Sequence, residues 1–73
     1  MEAIAELPLD RQQVRYYLRF GKALFDLGAL DESHAALLEA QRAAARVGRA
    51  YLDLCRRTAV DVLRGKAVDF GHL

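Results

Sequence analysis

Residues 17–28 of the chain read YLRFGKALFDLG. Large apolar side chains recur every three or four residues along this stretch, as they do on one face of an α-helix. Gly21 lies on that face, and a residue without a side chain lets a neighbouring helix approach closely. Gly28 is well placed to end the helix in a left-handed conformation. The stretch therefore predicts a helix with a close-contact point at Gly21.

A second stretch carries the complementary pattern. Residues 33–40 read SHAALLEA, with Ser33, Leu37 and Ala40 on one predicted helical face. Two helices joined by a turn of two or three residues are usually antiparallel neighbours. The small residues of the second stretch leave room for the backbone at Gly21. The two stretches together predict a helical hairpin.

Capping residues set the expected starts of the two helices. Asp10 resembles an N-cap, with Gln13 three residues later completing a capping box. Leu9 and Val14 occupy the positions of a hydrophobic staple. Asp31 is the expected N-cap of the second helix. We therefore expect the helices to begin directly after Asp10 and Asp31.

A third helix is predicted over residues 49–64, between Gly48 and Gly65. The fold class is then all-α, an antiparallel hairpin with a third, capping helix. The expected organisation is an N-terminal arm over residues 1–9, a three-helix domain over 10–65 and a C-terminal tail over 66–73.

Length and charge limit the possible functions. Seventy-three residues form one small domain, whose stability is expected to gain from association with another chain. The net charge is +1, but negative charge concentrates in residues 1–10 and 31–41 and positive charge in 11–30 and 42–66. Such a balance argues against nucleic acid as a partner and suits a protein partner of opposite local charge.

Few side chains are of the types that form disulfides, catalyse reactions or bind metals. Cys55 is the single cysteine, which precludes an internal disulfide and favours a reducing compartment. A packed thiol is a simpler interpretation of Cys55 than a nucleophile, which would need a base nearby. The two histidines have no metal-ligand spacing, so no metal, cofactor or enzymatic activity is expected. With no long apolar run for a membrane span, we expect a cytoplasmic protein, and the excess of arginine over lysine is typical of a GC-rich bacterial genome.

The chain resembles the tetratricopeptide repeat family over residues 14–47. The family's 34-residue unit reads W-x2-L-G-x2-Y, then A-x3-F, then A and P. The residues that match in identity or size class are Tyr17, Phe20, Gly21, Leu24, Ser33, Leu37 and Ala40. Ala45 replaces the proline, and a second unit starting at Gly48 would put Cys55 at the packing-glycine position. The resemblance implies one repeat plus a following helix, and a helical surface that binds other proteins.

The resemblance also implies a concave face on the first helix. Its lining residues would be Arg15, Leu18, Arg19, Lys22, Phe25 and Asp26. Arginines beside apolar side chains can hold an acidic or C-terminal peptide, because a guanidinium forms paired hydrogen bonds with a carboxylate. In the alternative interpretation the basic residues are a solvated stripe and Leu18 and Phe25 belong to the core.

The first helix carries a surplus apolar strip as well, formed by Tyr16, Phe20, Ala23 and Leu27. A helix that is apolar on two sides leaves area exposed in a three-helix protein, and such area typically marks an interface. Alternatively, the third helix or the N-terminal arm covers the strip.

The sequence thus favours a non-enzymatic protein–protein interaction module, an adaptor, scaffold or regulatory subunit that associates with itself or with another chain. The alternative is a small nucleic-acid-binding transcriptional regulator that uses the third helix. The arginines of that helix are Arg49, Arg56, Arg57 and Arg64. Asp53 and Asp61 interrupt them, and we expect these aspartates to pair with the arginines at helical spacing.

Overall fold

The computed structural model describes residues 8–73, in which three α-helices form an all-α fold without a strand. The helices are α1 (Leu9–Asp26), α2 (Leu30–Val47) and α3 (Arg49–Leu63), followed by a 3₁₀ turn at Phe70–His72. Helices α1 and α2 form an antiparallel hairpin with the most extensive contact in the fold, and α3 packs against both. The predicted fold class and the hairpin are confirmed.

Helix α1 begins two residues earlier than its capping box predicts. Pro8 is the N-cap, and no side chain caps the helix. The backbone N–H of Gln12 instead donates to the Pro8 carbonyl oxygen at 3.1 Å. Asp10 therefore lies inside the first turn, where its carboxylate still interacts favourably with the helix dipole. Of the predicted arm over residues 1–9, all but Pro8 and Leu9 lies outside the described residues.

Helix α2 also starts earlier than predicted. Ala29 is its N-cap, without a side-chain hydrogen bond, and Asp31 and Glu32 lie in the first turn. The N–H of Ser33 donates to the Ala29 carbonyl oxygen at 2.9 Å. The tight turn after α1 already positions this carbonyl, so the helix begins before Asp31 can act as a cap.

The turn between α1 and α2 confirms the predicted role of Gly28, whose φ is +83°. The Ala29 N–H donates to the Leu24 carbonyl at 2.9 Å, and the Gly28 N–H donates to the Phe25 carbonyl at 3.0 Å. This pair of bonds is a Schellman motif, which requires the left-handed conformation that glycine adopts without strain. The chain therefore reverses sharply and lays α2 back along α1.

The close contact predicted at Gly21 is present. A Cβ added to Gly21 would lie 2.7 Å from Leu37 Cδ2, shorter than side chains tolerate. The Ser33 hydroxyl donates to the Gly21 carbonyl oxygen at 2.7 Å in a buried hydrogen bond. Glycine on α1 and serine on α2 therefore fix the distance between the two helices.

The core lies between the three helices and includes the end of the described chain. Leu73 is 1% exposed and packs in the same cluster as Val14, Leu18 and Val62. Phe70 and Val68 pack against this cluster from outside. Residues 66–73, predicted as a tail, thus return to the domain and complete its core.

Candidate protein-interaction surface

An apolar ridge is exposed on α1, formed by Tyr16 and Phe20 of the helix and by Leu27 at its C-cap. These side chains are 61%, 45% and 81% exposed. The rings of Tyr16 and Phe20 stack with centroids 5.9 Å apart and planes inclined by 15°, because residues four apart lie one above the other on a helix. Ala23, the fourth member of the predicted strip, is exposed as well. Nothing in residues 8–73 covers this strip.

An interhelical groove lies beside the ridge, between α1 and α2. It has a volume of about 310 Å³ and shares Phe20 with the ridge. Its apolar lining consists of Tyr17, Phe20, Leu24, Ala35 and Ala36, and Glu32 and Glu39 stand on its α2 side. The alanines of α2 keep the groove open, since a larger residue there would fill it.

Beyond the groove, Arg46 of α2 contacts the first turns of α1. Its guanidinium donates to the Asp10 carboxylate at 3.0 Å and to the Gln13 side-chain oxygen at 3.0 Å. These bonds are exposed, so each stabilises the fold only slightly. They show which turn of α2 lies beside the first turns of α1.

Charged rims of opposite sign flank the apolar surface. Arg15 and Arg19 form a basic rim on α1, next to Tyr16 and Phe20. Glu32 and Glu39 form an acidic rim on α2. Arg15 makes no ion pair or hydrogen bond within residues 8–73. The surface thus carries an apolar centre and two complementary edges.

The chain's own C-terminal segment covers another side of α1. The Arg11 guanidinium donates to the main-chain oxygen of Leu73 at 2.8 and 3.3 Å. The Tyr51 hydroxyl of α3 donates to the same oxygen at 2.6 Å, and the Arg11 guanidinium lies 5.2 Å from the Tyr51 ring centroid. The last residues are thus bound to both α1 and α3.

This arrangement corrects part of the predicted concave face. Leu18 is 0% exposed, so it belongs to the core and is not available to a partner. Phe25 is half-buried and packs against the core cluster. The Phe70 ring lies 5.9 Å from the Arg19 guanidinium, and Lys22 pairs with Asp26 at 2.9 Å. The alternative interpretation, in which Leu18 and Phe25 are core residues, is the one that the structure supports.

Cys55 is a packed residue in the described structure. It is 0% exposed and lies in the core cluster. Burial raises the pKa of its thiol to about 11, and the nearby charge of Arg56 opposes this shift only in part. A thiol with such a pKa stays protonated at neutral pH and is a poor nucleophile.

The outer face of α3 carries a shallow basic surface lined by Arg56, Arg57, Val60, Asp61 and Arg64. No ion pair joins Asp53 or Asp61 to an arginine among the described residues, contrary to prediction. Exposed ion pairs contribute little, so solvation of both partners competes effectively with pairing.

None of the helices in residues 8–73 combines the length and the hydropathy needed to cross a bilayer. Within the same residues, no three histidine, cysteine, aspartate or glutamate side chains come together as metal ligands would.

Sequence reasoning identified the ridge but not its surroundings. The groove residues Ala35, Ala36 and Leu24 were not assigned to a surface, although their spacing along two antiparallel helices is the available signal. Arg11 and Tyr51 were also missed as residues that hold the C-terminal segment, and no local pattern signals their contact. Comparisons with family models, with curated proteins and with solved structures found no match. The tetratricopeptide resemblance therefore stays a prediction.

Proposed function

We propose that this chain is a non-enzymatic protein–protein interaction module that binds through the apolar ridge and the interhelical groove. The observation that carries the proposal is the exposure of Tyr16, Phe20 and Leu27 beside an open groove. Aromatic residues and arginine are enriched at interface centres, where they contribute most of the binding energy. This surface combines stacked aromatic rings with Arg15 and Arg19.

The composition of the surface supports binding to protein. An apolar centre bordered by charges of both signs matches the centre and rim of a typical protein interface. A short hairpin with the tetratricopeptide-like spacing would also gain from a further helical layer, because repeats of this kind bury their apolar faces by stacking. In this proposal the chain acts as an adaptor, scaffold or regulatory subunit of a cytoplasmic assembly.

The experiment compares two single variants with the wild type. Phe20→Glu places a charge at the centre of the ridge, whereas Val60→Glu places the same charge on α3 at a side chain that is equally exposed, 45% in both cases. Proteins captured by each immobilised variant are identified by mass spectrometry. Binding of the purified candidate is then measured by calorimetry.

The proposal expects the wild type and Val60→Glu to bind the same protein with similar affinity. Phe20→Glu should weaken that binding by about 30-fold or more, since loss of a central aromatic residue typically costs 2 kcal/mol or more. Circular dichroism should show unchanged helicity in all three proteins. Equal binding by all three would refute the proposal.

A second candidate function rests on the arginines of α3. Arg56, Arg57 and Arg64 are exposed and unpaired within residues 8–73, which leaves them available to phosphate. A gel-shift titration at increasing salt tests nucleic-acid binding, because phosphate contacts release counterions and affinity then falls steeply. Arg56→Gln with Arg57→Gln should abolish a genuine shift, while Arg15→Gln should leave it intact.

A further inference from the structure

We infer that the partner of the apolar surface is a second copy of this chain, related by a two-fold axis that runs parallel to α1. This inference rests on the proposed function, since it names the occupant of the same surface. It is carried by the positions of the apolar ridge, the interhelical groove and the two charged rims on one face of the hairpin.

The first argument is the shape of the face. The stacked rings of Tyr16 and Phe20 project from α1, and the groove beside them is bordered on α2 by Ala35 and Ala36. A two-fold interface is self-complementary, so each feature must meet its counterpart on the other copy. Turning one copy about an axis parallel to α1 brings the ridge of each copy to the groove of the other.

The second argument is the charge. The same rotation places the basic rim of each copy against the acidic rim of its partner. A two-fold axis perpendicular to the helices would instead place arginine against arginine, and such like-charge contacts weaken association. The opposite rims therefore select the parallel axis.

The third argument is the register along the helices. The contacts of Gly21 with Leu37 and of Gln13 with Arg46 show how α2 runs alongside α1. By this pairing, Glu39 lies level with the turn of α1 that carries Arg15 and Arg19. A two-fold rotation about an axis parallel to the helices leaves the position of each residue along that axis unchanged. Glu39 of one copy therefore faces Arg15 and Arg19 of the other.

The contacts between copies compete with ion pairs that exist within one chain. Glu39 pairs with Arg42 at 3.0 Å, but both side chains are exposed, and a pair three residues apart on a helix is weak. Near the level of Glu32, α1 carries the Lys22–Asp26 pair, which has no net charge. The attraction between copies is thus concentrated at Glu39, where Arg15 and Arg19 of the partner copy compete with Arg42.

The test is analytical ultracentrifugation from micromolar to millimolar concentration, with charge-reversed variants. The wild type should form dimers, and Phe20→Glu should raise the dissociation constant by about 30-fold or more. Arg19→Glu and Glu39→Arg, each alone, should raise it by about tenfold, because each homodimer then contains two like-charge contacts. Mixing the two single variants should restore wild-type affinity, since both contacts become opposite in charge.

Arg19 also contacts Phe70, so Arg15→Glu serves as a second variant without that contact and should weaken the dimer as well. A wild type that stays monomeric at every concentration would overturn the inference. So would a dimer that is insensitive to these variants, or a mixture that does not recover affinity. If the chain is monomeric but still binds another purified protein through Phe20, the proposed function stands and only the identity of the partner is wrong.

Discussion

Two sides of α1 carry similar apolar side chains, but one side is buried in the fold and the other is exposed. Val14 and Leu18 face the core and are fully buried, whereas Tyr16 and Phe20 remain exposed. The difference arises from what packs on each side, since α3 and the C-terminal segment cover only one of them. An apolar helical face is therefore expected to be buried. The rest of the fold determines whether the chain buries that face itself or leaves it exposed to a partner.

The largest expected effect contrasts one residue from each side. Leu18→Ala should lower the free energy of unfolding by about 4 kcal/mol, because it leaves a cavity in a closed core. Phe20→Ala should lower it by only about 1 kcal/mol, because much of that ring is already in water. Urea denaturation of both variants, at concentrations low enough to avoid association, provides the measurement. Equal losses of unfolding free energy in the two variants would mean that the two sides of α1 are equally buried.

The next effect concerns the contact between α1 and α2. Gly21→Val should lower the free energy of unfolding by about 3 kcal/mol, because the added side chain overlaps the buried Leu37. Ala23→Val is the matched control on the exposed side, and its loss should stay near 0.7 kcal/mol, the cost of helix propensity alone. A Gly21→Val variant as stable as the control would show that the helices are not in close contact there.

A smaller effect appears in the dependence of stability on pH. Burial raises the pKa of Cys55 from an ordinary value of about 9 to about 11 in the folded state. Between these values the folded chain keeps a proton that the unfolded chain loses, so stability falls as the pH rises through this window. The expected loss is about 2 kcal/mol, and Cys55→Ala should lack this component. If the unfolding free energies of the wild type and Cys55→Ala changed in parallel between pH 8 and about pH 11, the burial of the thiol would be contradicted.

The smallest effect tests how the C-terminal segment is held. Tyr51→Phe should cost about 1 kcal/mol, because it removes the hydrogen bond to the Leu73 oxygen while Arg11 still donates to that atom. Tyr16→Phe is the control on the exposed side, where the hydroxyl makes no hydrogen bond within residues 8–73, and it should change little. Thermal unfolding followed by circular dichroism distinguishes the two variants.

The hairpin was predictable because its determinants are local. Gly21 and Gly28 mark the close contact and the turn within one stretch, and Ser33 and Leu37 complete the pattern on the second helix. The helix starts were predicted less well, since Pro8 and Ala29 begin their helices without side-chain caps.

The sequence does not predict which side of α1 is buried by α3 and the C-terminal segment. Leu73 contacts Arg11 across 62 positions, and no periodic pattern connects such distant residues. The sequence therefore leaves open whether Leu18 lines a partner-binding face or belongs to the core, and the structure places it in the core. The interhelical groove was missed for the same reason, because its existence depends on the side that α3 occupies.

Hydroxyl-radical footprinting at increasing protein concentration measures whether the apolar ridge is exposed in one molecule and covered between two. We expect Tyr16 and Phe20 to be oxidised readily in dilute solution and to become protected as the concentration rises, while Phe25 and Tyr51 change little. Protection of Tyr16 and Phe20 already at high dilution would show that a single molecule covers its own ridge. Unchanged oxidation at every concentration would show that copies of the chain do not meet through this surface.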